Sequence, residues 1–131
     1  MDAELDESSV DDVDQCEDRI VSQWREVSSD DKRHLREQFD EILRPFGFET
    51  SLVVIRRANS IALIFTCLTL FALMNLRHQW SSGQLKDIIQ SLFTFLSAAT
   101  RTVHIKRLSW PEIDYERSLK FFSSAHGKQQ C

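Results

Sequence analysis

The spacing of apolar residues predicts two amphipathic helices in the first third of the chain. An apolar side chain at every third or fourth position forms one stripe along a helix. The two stripes consist of Ile20, Val21, Trp24 and Val27, and of Leu35, Phe39, Ile42, Leu43 and Phe46. Ser28 and Asp31 resemble a capping box at the start of the second helix, and Gly47 is well placed to end it.

After Gly47 the spacing changes to that of strands. Residues 52–57 form a short run rich in branched side chains, and 58–60 have the composition of a tight turn. Residues 61–67 resume the run with the alternation of a strand that buries one face. Together these segments predict a β-hairpin.

The second half of the chain returns to helical spacing. Residues 70–80 predict a helix that ends near 81–83, and residues 85–96 carry the apolar stripe of the next helix. A last helix begins after 109–112, where Ser109 and Glu112 form a capping box around Pro111, and we expect it to stop at Gly127.

One more strand is predicted between the last two helices. Residues 102–108 alternate, with Val103 and Ile105 inward and with Thr102, His104 and Lys106 outward. The resulting order, α-α-β-β-α-α-β-α, predicts an α+β fold. Its antiparallel sheet is covered by helices on one face, as in an α-β sandwich.

Charge is distributed unevenly along the 131 residues. Residues 1–31 hold twelve acidic and two basic side chains, whereas the remaining hundred hold eight acidic and fourteen basic ones. Residues 1–17 also have few large apolar side chains, so we expect a disordered acidic leader there. The prediction is therefore this leader, a single α/β interaction domain over 18–127, and a short tail at 128–131.

The uncharged stretch at 58–76 has an alternative interpretation. Nineteen residues without a charge, bounded by arginines on both sides, are long enough for a single membrane span. The stretch also contains polar residues and divides into a half with strand spacing and a half with helical spacing. We therefore favour a buried strand followed by a buried helix over a membrane-inserted protein.

The residues that usually carry chemistry are scattered. The four histidines, His34, His78, His104 and His126, have no second histidine or cysteine at ligand spacing. The three glycines all lie at expected helix ends, which leaves no glycine-rich loop for a phosphate. We therefore predict no enzyme, no metal and no cofactor.

The cysteines and the N-terminal composition indicate a cellular setting. Three widely spaced cysteines without a C-x-x-C pair are typical of a reducing environment rather than of a disulfide framework. The start of the chain has neither the basic nor the apolar region of a secretory signal. A cytoplasmic location follows as the expectation.

The basic residues of the strands form the candidate binding surface. The outward side chains Thr102, His104 and Lys106, beside Arg56 or Arg57, could contact another protein. A nucleic-acid-binding α/β domain is the alternative for such residues, but the strands lack the exposed aromatic side chains on which bases stack. Partner proteins are therefore preferred over nucleic acid.

Three serines are candidate phosphorylation sites. Ser60 follows Arg56 and Arg57 in the expected turn, where a phosphate would lie beside two arginines. Ser8 and Ser9 precede two aspartates, as kinases that prefer acidic sites require.

From residue 52 onward the chain resembles the N-terminal domain of the TNF-receptor-associated death-domain adaptor. The matching features, in order, are the strand 52–57 with its basic end, the strand 61–67 with its cysteine, the segments 75–77, 83–85 and 90–92, the strand 103–107, and the helix with 115–119. The resemblance implies an α-β sandwich and an adaptor role in death-receptor or innate-immune signalling and apoptosis. It also implies TNF-receptor-associated factors, or similar signalling proteins, as partners bound through the sheet side.

Two features depart from that family. Its domain begins with a strand that contributes to the partner-binding surface, whereas residues 18–34 are predicted as helix. The 131-residue sequence also contains no death domain. No individual binding residue is therefore carried over from the family.

Overall fold

Four antiparallel strands form one sheet, and their order across the sheet differs from their order in the chain. The computed structural model describes residues 1–27, 33–98 and 101–130. Its strands are β1 (Asp2–Leu5), β2 (Thr50–Arg57), β3 (Ile61–Cys67) and β4 (Ile105–Ser109). They lie in the order β2-β3-β1-β4, so the first strand of the chain lies inside the sheet, between β3 and β4.

Strand β1 corrects the prediction that residues 1–17 form a disordered leader. Ala3 and Leu5 are buried, whereas Asp2 and Glu4 are exposed. Because neighbouring strands pair with β1 on both sides, its backbone groups are satisfied and two small apolar side chains suffice to anchor it. The alternation of acidic and apolar residues at 2–5 is a strand signal that the acidic composition concealed.

The five α-helices of the described residues are α1 (Val13–Val27), α2 (Arg33–Leu43), α3 (Leu70–Ser82), α4 (Gln84–Ser97) and α5 (Glu112–Gln130). Helix α1 begins well before the predicted domain start at residue 18, and its buried residues include Cys16 and Glu17. The prediction that the last helix stops at Gly127 before a tail is also wrong. A glycine inside a helix costs about 1 kcal/mol, which weakens the helix without ending it.

The hairpin and the two central helices are confirmed. Strands β2 and β3 pair antiparallel, and the Ala58 N–H donates to the Ser60 carbonyl at 2.9 Å to close the turn. Helix α3 begins at Thr69, whose hydroxyl accepts the Ala72 N–H, and it ends at Gly83. Gly83 adopts a left-handed conformation with φ of 88°, which a glycine reaches without steric cost.

The third predicted strand is shorter than expected. Strand β4 begins at Ile105, although Val103 is buried and Thr102 and His104 are exposed as predicted. Two side chains of α4 bind the backbone around the start of β4: the Thr94 hydroxyl accepts the Val103 N–H and the Gln90 carbonyl oxygen accepts the Ile105 N–H, both at 2.9 Å. These bonds to α4 replace the strand pairing that the alternation predicts.

The fold is an α+β sandwich with helices packed on one face of an antiparallel sheet, as predicted. Helices α1 and α4 pack side by side, α2 contacts both, and α3 flanks α4. The largest fully buried side chains lie between these helices and the sheet: Phe93, Ile20, Ile61, Leu63, Leu85, Ile89, Leu92 and Leu96. Burying each such side chain contributes about 1.5–3 kcal/mol, so this layer stabilises the packing of the helices on the sheet.

The uncharged stretch 58–76 contains the hairpin turn, β3 and the first half of α3. The prediction of a strand followed by a helix is therefore confirmed for this stretch. It does not form one continuous helix. In the described part of the chain, no helix combines the length and the apolar character that crossing a bilayer requires.

Arg77 fastens α3 to the start of α5. Its guanidinium carbon lies 4.2 Å from the ring centre of Trp80, 5.1 Å from that of Trp110 and 4.9 Å from that of Tyr115. The same side chain donates to the Trp110 carbonyl at 2.9 Å. Cation–π contacts and a charged hydrogen bond from the same side chain therefore hold α3 against the start of α5.

Candidate protein-binding surface

One face of the sheet, which we call the open face, points away from the core helices. The register fixes its members, because directly paired residues on neighbouring strands point to the same side. Arg56, Ala62 and Asp2 form one such row across three strands. The open face comprises Ser51, Val53, Val54 and Arg56 of β2, Ala62, Ile64 and Thr66 of β3, Asp2 and Glu4 of β1, and Lys106, Arg107 and Ser109 of β4.

Two β-bulges shape this face. The pairing shifts between Leu52 and Val54, and it shifts again where Glu4 faces Arg107 and the next residue faces Ile105. At a bulge two consecutive residues oppose one partner, so both turn to the same side of the strand. The first bulge places Val53 beside Val54 on the open face, and the second places Lys106 beside Arg107.

The centre of the open face is apolar. Val53 is 48% exposed and Ile64 is 40% exposed, and both are branched side chains on rigid strands. Val54 lies beside them and pairs with Ile64 across β2 and β3. A contiguous group of exposed apolar side chains is a frequent feature of protein interaction surfaces.

Charges of both signs surround this apolar centre. Arg56 lies at one end, and Lys106 Nζ lies 3.8 Å from Glu4 Oε1 at the other. Because both partners of this ion pair are largely exposed, it contributes at most about 1 kcal/mol. The pair can therefore separate at little cost when another protein approaches.

Arg57 does not belong to the open face, which corrects its place beside Arg56 in the predicted surface. Its guanidinium turns toward α1, where Nη1 lies 2.6 Å from Asp18 Oδ1. Nη2 lies 3.2 Å from Asp14 Oδ1 and 3.5 Å from Glu17 Oε1. Consecutive residues of a strand point to opposite faces, so Arg56 and Arg57 cannot serve one surface.

Glu17 is the buried member of this cluster. Burial raises the pKa of its carboxyl, and the positive charge of Arg57 opposes that rise. The Arg57 guanidinium shows the opposite balance: burial lowers its pKa, but Glu17, Asp18 and Asp14 together raise it. The cluster joins the end of the hairpin to α1 and is a structural ion-pair network.

Thr102 and His104 precede β4, so they lie outside the strands that carry the open face. His104 donates its N–H to Ser9 Oγ at 3.1 Å, and its carbonyl accepts the Asp6 N–H at 2.8 Å. Strands β1 and β3 also separate Lys106 on β4 from Arg56 on β2. At about 4.8 Å per strand, this places them about 14 Å apart across the sheet.

The three candidate phosphorylation sites have different surroundings. Ser60 borders a cavity with Glu7, Asp12 and Glu17, so a phosphate there would also face carboxylates that the sequence does not predict. Ser8 donates its N–H and hydroxyl to Asp6 Oδ1 at 3.0 and 2.7 Å. These bonds lower the pKa of Asp6.

Ser9 has a structural part between β1 and β4. Its hydroxyl donates to the Asp6 carbonyl at 2.8 Å while it accepts the His104 N–H. A phosphate on this oxygen would remove the proton that it donates. Phosphorylation at Ser9 would therefore disturb the connection of the two strands.

The described residues contain no group of three or more histidine, cysteine or acidic side chains placed to hold a metal ion. Of the cysteines, Cys16 and Cys67 are free, and burial raises the pKa of each thiol. A protonated thiol is a weak nucleophile. Neither of these two thiols therefore has the lowered pKa that is typical of a reactive cysteine.

Sequence reasoning missed most of the open face. The acidic composition predicts that Asp2 and Glu4 belong to a disordered segment, and the positions of Val53 and Arg107 depend on bulges that no short pattern reveals. Comparison with protein-family models, with curated proteins and with solved structures gave no match to this chain. The functional proposal therefore depends on the geometry of the sheet and on the resemblance to the adaptor family.

Proposed function

We propose that this chain is a non-enzymatic adaptor domain that binds another protein through the open face of its sheet. The observation that carries the proposal is the apolar centre formed by Val53, Val54 and Ile64, with charges of both signs around it. Such a surface suits a protein partner, because apolar contacts supply affinity and the surrounding charges supply specificity. The sheet holds these side chains in fixed positions before binding.

The resemblance to the N-terminal domain of the TNF-receptor-associated death-domain adaptor supports a more specific form of the proposal. The described fold begins with strand β1, as a domain of that family begins with a strand, although residues 18–27 are helical as the sequence predicts. In this form the chain acts in cytoplasmic signalling of the death-receptor or innate-immune type. Its partner is a TNF-receptor-associated factor or a similar signalling protein.

The specific partner is tested by titrating the purified chain with the purified receptor-binding domain of a TNF-receptor-associated factor. We expect saturable binding, and we expect the affinity to fall at least tenfold in the double variant Val53→Asp with Arg56→Glu. That variant places a charge in the apolar centre and reverses a charge beside it. Arg36→Glu on α2 is the matched control, because it makes the same charge reversal on an exposed helical residue.

The broader proposal has its own test. Amide chemical shifts of the full chain are recorded as an identified partner is added. Shifts that cluster on β2, at Val53, Val54 and Arg56, support binding through the open face. Shifts confined to the helices, or equal binding by the double variant and the Arg36 control, would refute it.

A further inference from the structure

Strand β1 covers only part of the inner edge of β3. Asp2 pairs with Ala62, and Met1 contacts the next residue of β3, Leu63. The Leu63 N–H donates to the Met1 carbonyl at 2.7 Å, and the Met1 amino group donates to the Leu63 carbonyl at 3.2 Å. Beyond Leu63, β3 continues as far as Cys67, and no strand of the described residues lies beside it on this side.

The uncovered edge carries unused backbone groups. N–H and C=O directions alternate along a strand, so Phe65 and Cys67 direct theirs to the same side as Leu63. From that side, no described backbone group and no side chain of residues 1–27, 35–98 or 101–123 forms a hydrogen bond to the N–H or C=O of either residue. Two donors and two acceptors are therefore presented in the alternating order of an unpaired strand edge.

A cavity of about 430 Å³ lies directly beside this edge. Its walls include Cys67 of β3, Leu73 and Leu76 of α3, and Phe121 and Phe122 of α5. The cavity is large enough to hold a short chain segment, and its walls are mainly apolar. Asp114 of α5 also lines it.

We propose that this groove binds an extended segment of a partner protein, which adds to β3 as a strand antiparallel to it and in line with β1. The free backbone groups define the occupant, because only another extended backbone offers acceptors and donors in the matching alternation. About four residues, roughly 13 Å, would cover the edge from Ile64 to Cys67. The apolar walls and Asp114 favour a segment with apolar side chains, with basic residues rather than acidic ones at its end.

This proposal goes beyond binding through the open face. The groove lies on the β1 side of β3, whereas Val53 and Arg56 belong to β2 on the other side of that strand. Ile64 borders both surfaces, so the residues of β2 are the ones that distinguish them. The double variant Val53→Asp with Arg56→Glu should therefore leave the groove unaffected. Failure of one proposal can be separated from failure of the other by this variant.

The experiment uses a phage-displayed library of random octapeptides, selected on the full chain. The best peptide is synthesised and its affinity is measured by calorimetry, first unmodified and then with single backbone amides methylated. A methyl group removes one N–H donor, so strand addition predicts that the loss of affinity alternates from one peptide residue to the next. Methylation at every second residue should weaken binding at least tenfold, and methylation at the residues between should change it less than twofold.

Two variants on the same helix complete the test. Phe121→Lys alters a groove residue that is 67% exposed, and Ile113→Lys alters a residue of α5 outside the groove that is 57% exposed. Because both residues are already exposed, both variants should fold. We expect Phe121→Lys to lower the affinity for the peptide at least tenfold and Ile113→Lys to lower it less than twofold. In the complex with the wild-type chain, the amide hydrogens of Phe65 and Cys67 should exchange more slowly with solvent.

Three results would overturn the proposal. The first is a library that yields no peptide, and the second is binding that methylation weakens without alternation or that Phe121→Lys leaves intact. The third is a chain that dimerises with rising concentration and loses its dimer in Phe121→Lys, which would assign the groove to a second copy of this chain.

Discussion

Replacing Leu5 by alanine tests whether the start of the chain is an inner strand of the sheet. Leu5 is 2% exposed and pairs with Ile105 on the neighbouring strand. Removing buried leucine methyl groups costs about 2–5 kcal/mol, and we expect about 3 kcal/mol here. Since a domain of this size unfolds with about 5–15 kcal/mol in total, this loss should lower its midpoint of thermal unfolding by about 10 °C.

The assay is urea unfolding followed by circular dichroism, with the wild-type chain and Glu4→Ala measured in parallel. Glu4 is the adjacent residue of the same strand, but its side chain is exposed. We expect Glu4→Ala to stay within about 0.5 kcal/mol of wild type. A Leu5→Ala chain as stable as the Glu4→Ala chain would show that residues 2–5 do not lie between β3 and β4.

Three further perturbations test the ion pairs of Arg57, the packing of the core and the contact between α3 and the start of α5. Arg57→Ala should lower the free energy of unfolding by about 1–3 kcal/mol, because it leaves the buried Glu17 carboxylate without its cation; adding Glu17→Gln should restore part of the loss in the same urea assay. Burial raises the folded-state pKa of Glu17 above its ordinary 4.5, so its stabilising effect is present below pH 4.5 and is lost as the pH rises through the folded-state pKa. The unfolding free energy of wild type minus that of Glu17→Gln should therefore fall between pH 4.5 and neutral pH, and a constant difference would contradict the burial. Phe93→Ala should cost about 3–5 kcal/mol and Phe71→Ala, on the exposed side of α3, less than about 0.5 kcal/mol; equal losses would contradict the core assignment. Arg77→Met should change the tryptophan fluorescence spectrum of the folded protein, at urea concentrations too low to unfold it, because it removes the cation from three aromatic rings. An unchanged spectrum would exclude the contact of Arg77 with Trp80 and Trp110.

Segments with a strong and uniform period could be predicted from the sequence. The hairpin at 50–67 and helices α3 and α4 lie where the spacing of apolar residues places them. In these segments local preference and tertiary packing agree, which is the condition under which short patterns are reliable. The fold class followed from their order.

The remaining features of the fold and of the open face depend on contacts between residues that are distant in sequence, and a local pattern does not reveal such contacts. Strand β1 has only two buried side chains, and its stability comes from strands that are remote in sequence. A bulge at Lys106 moves Arg107 to the open face, although strict alternation would turn it inward. The sequence predicts Arg57 at the binding surface, because no local pattern shows that α1 brings carboxylates to its side chain.

The place of β1 also has a consequence for how the chain is made. Asp2 pairs with Ser109, so the first ladder of the sheet joins residues that are synthesised more than a hundred positions apart. Sheets built on such distant pairings fold slowly, since a long loop must close before the contacts can form. Before β4 has been synthesised, β1 can pair only with β3, and its other edge has no partner strand. During that interval chaperones, or the strand edges of other nascent chains, compete for the place that β4 will occupy.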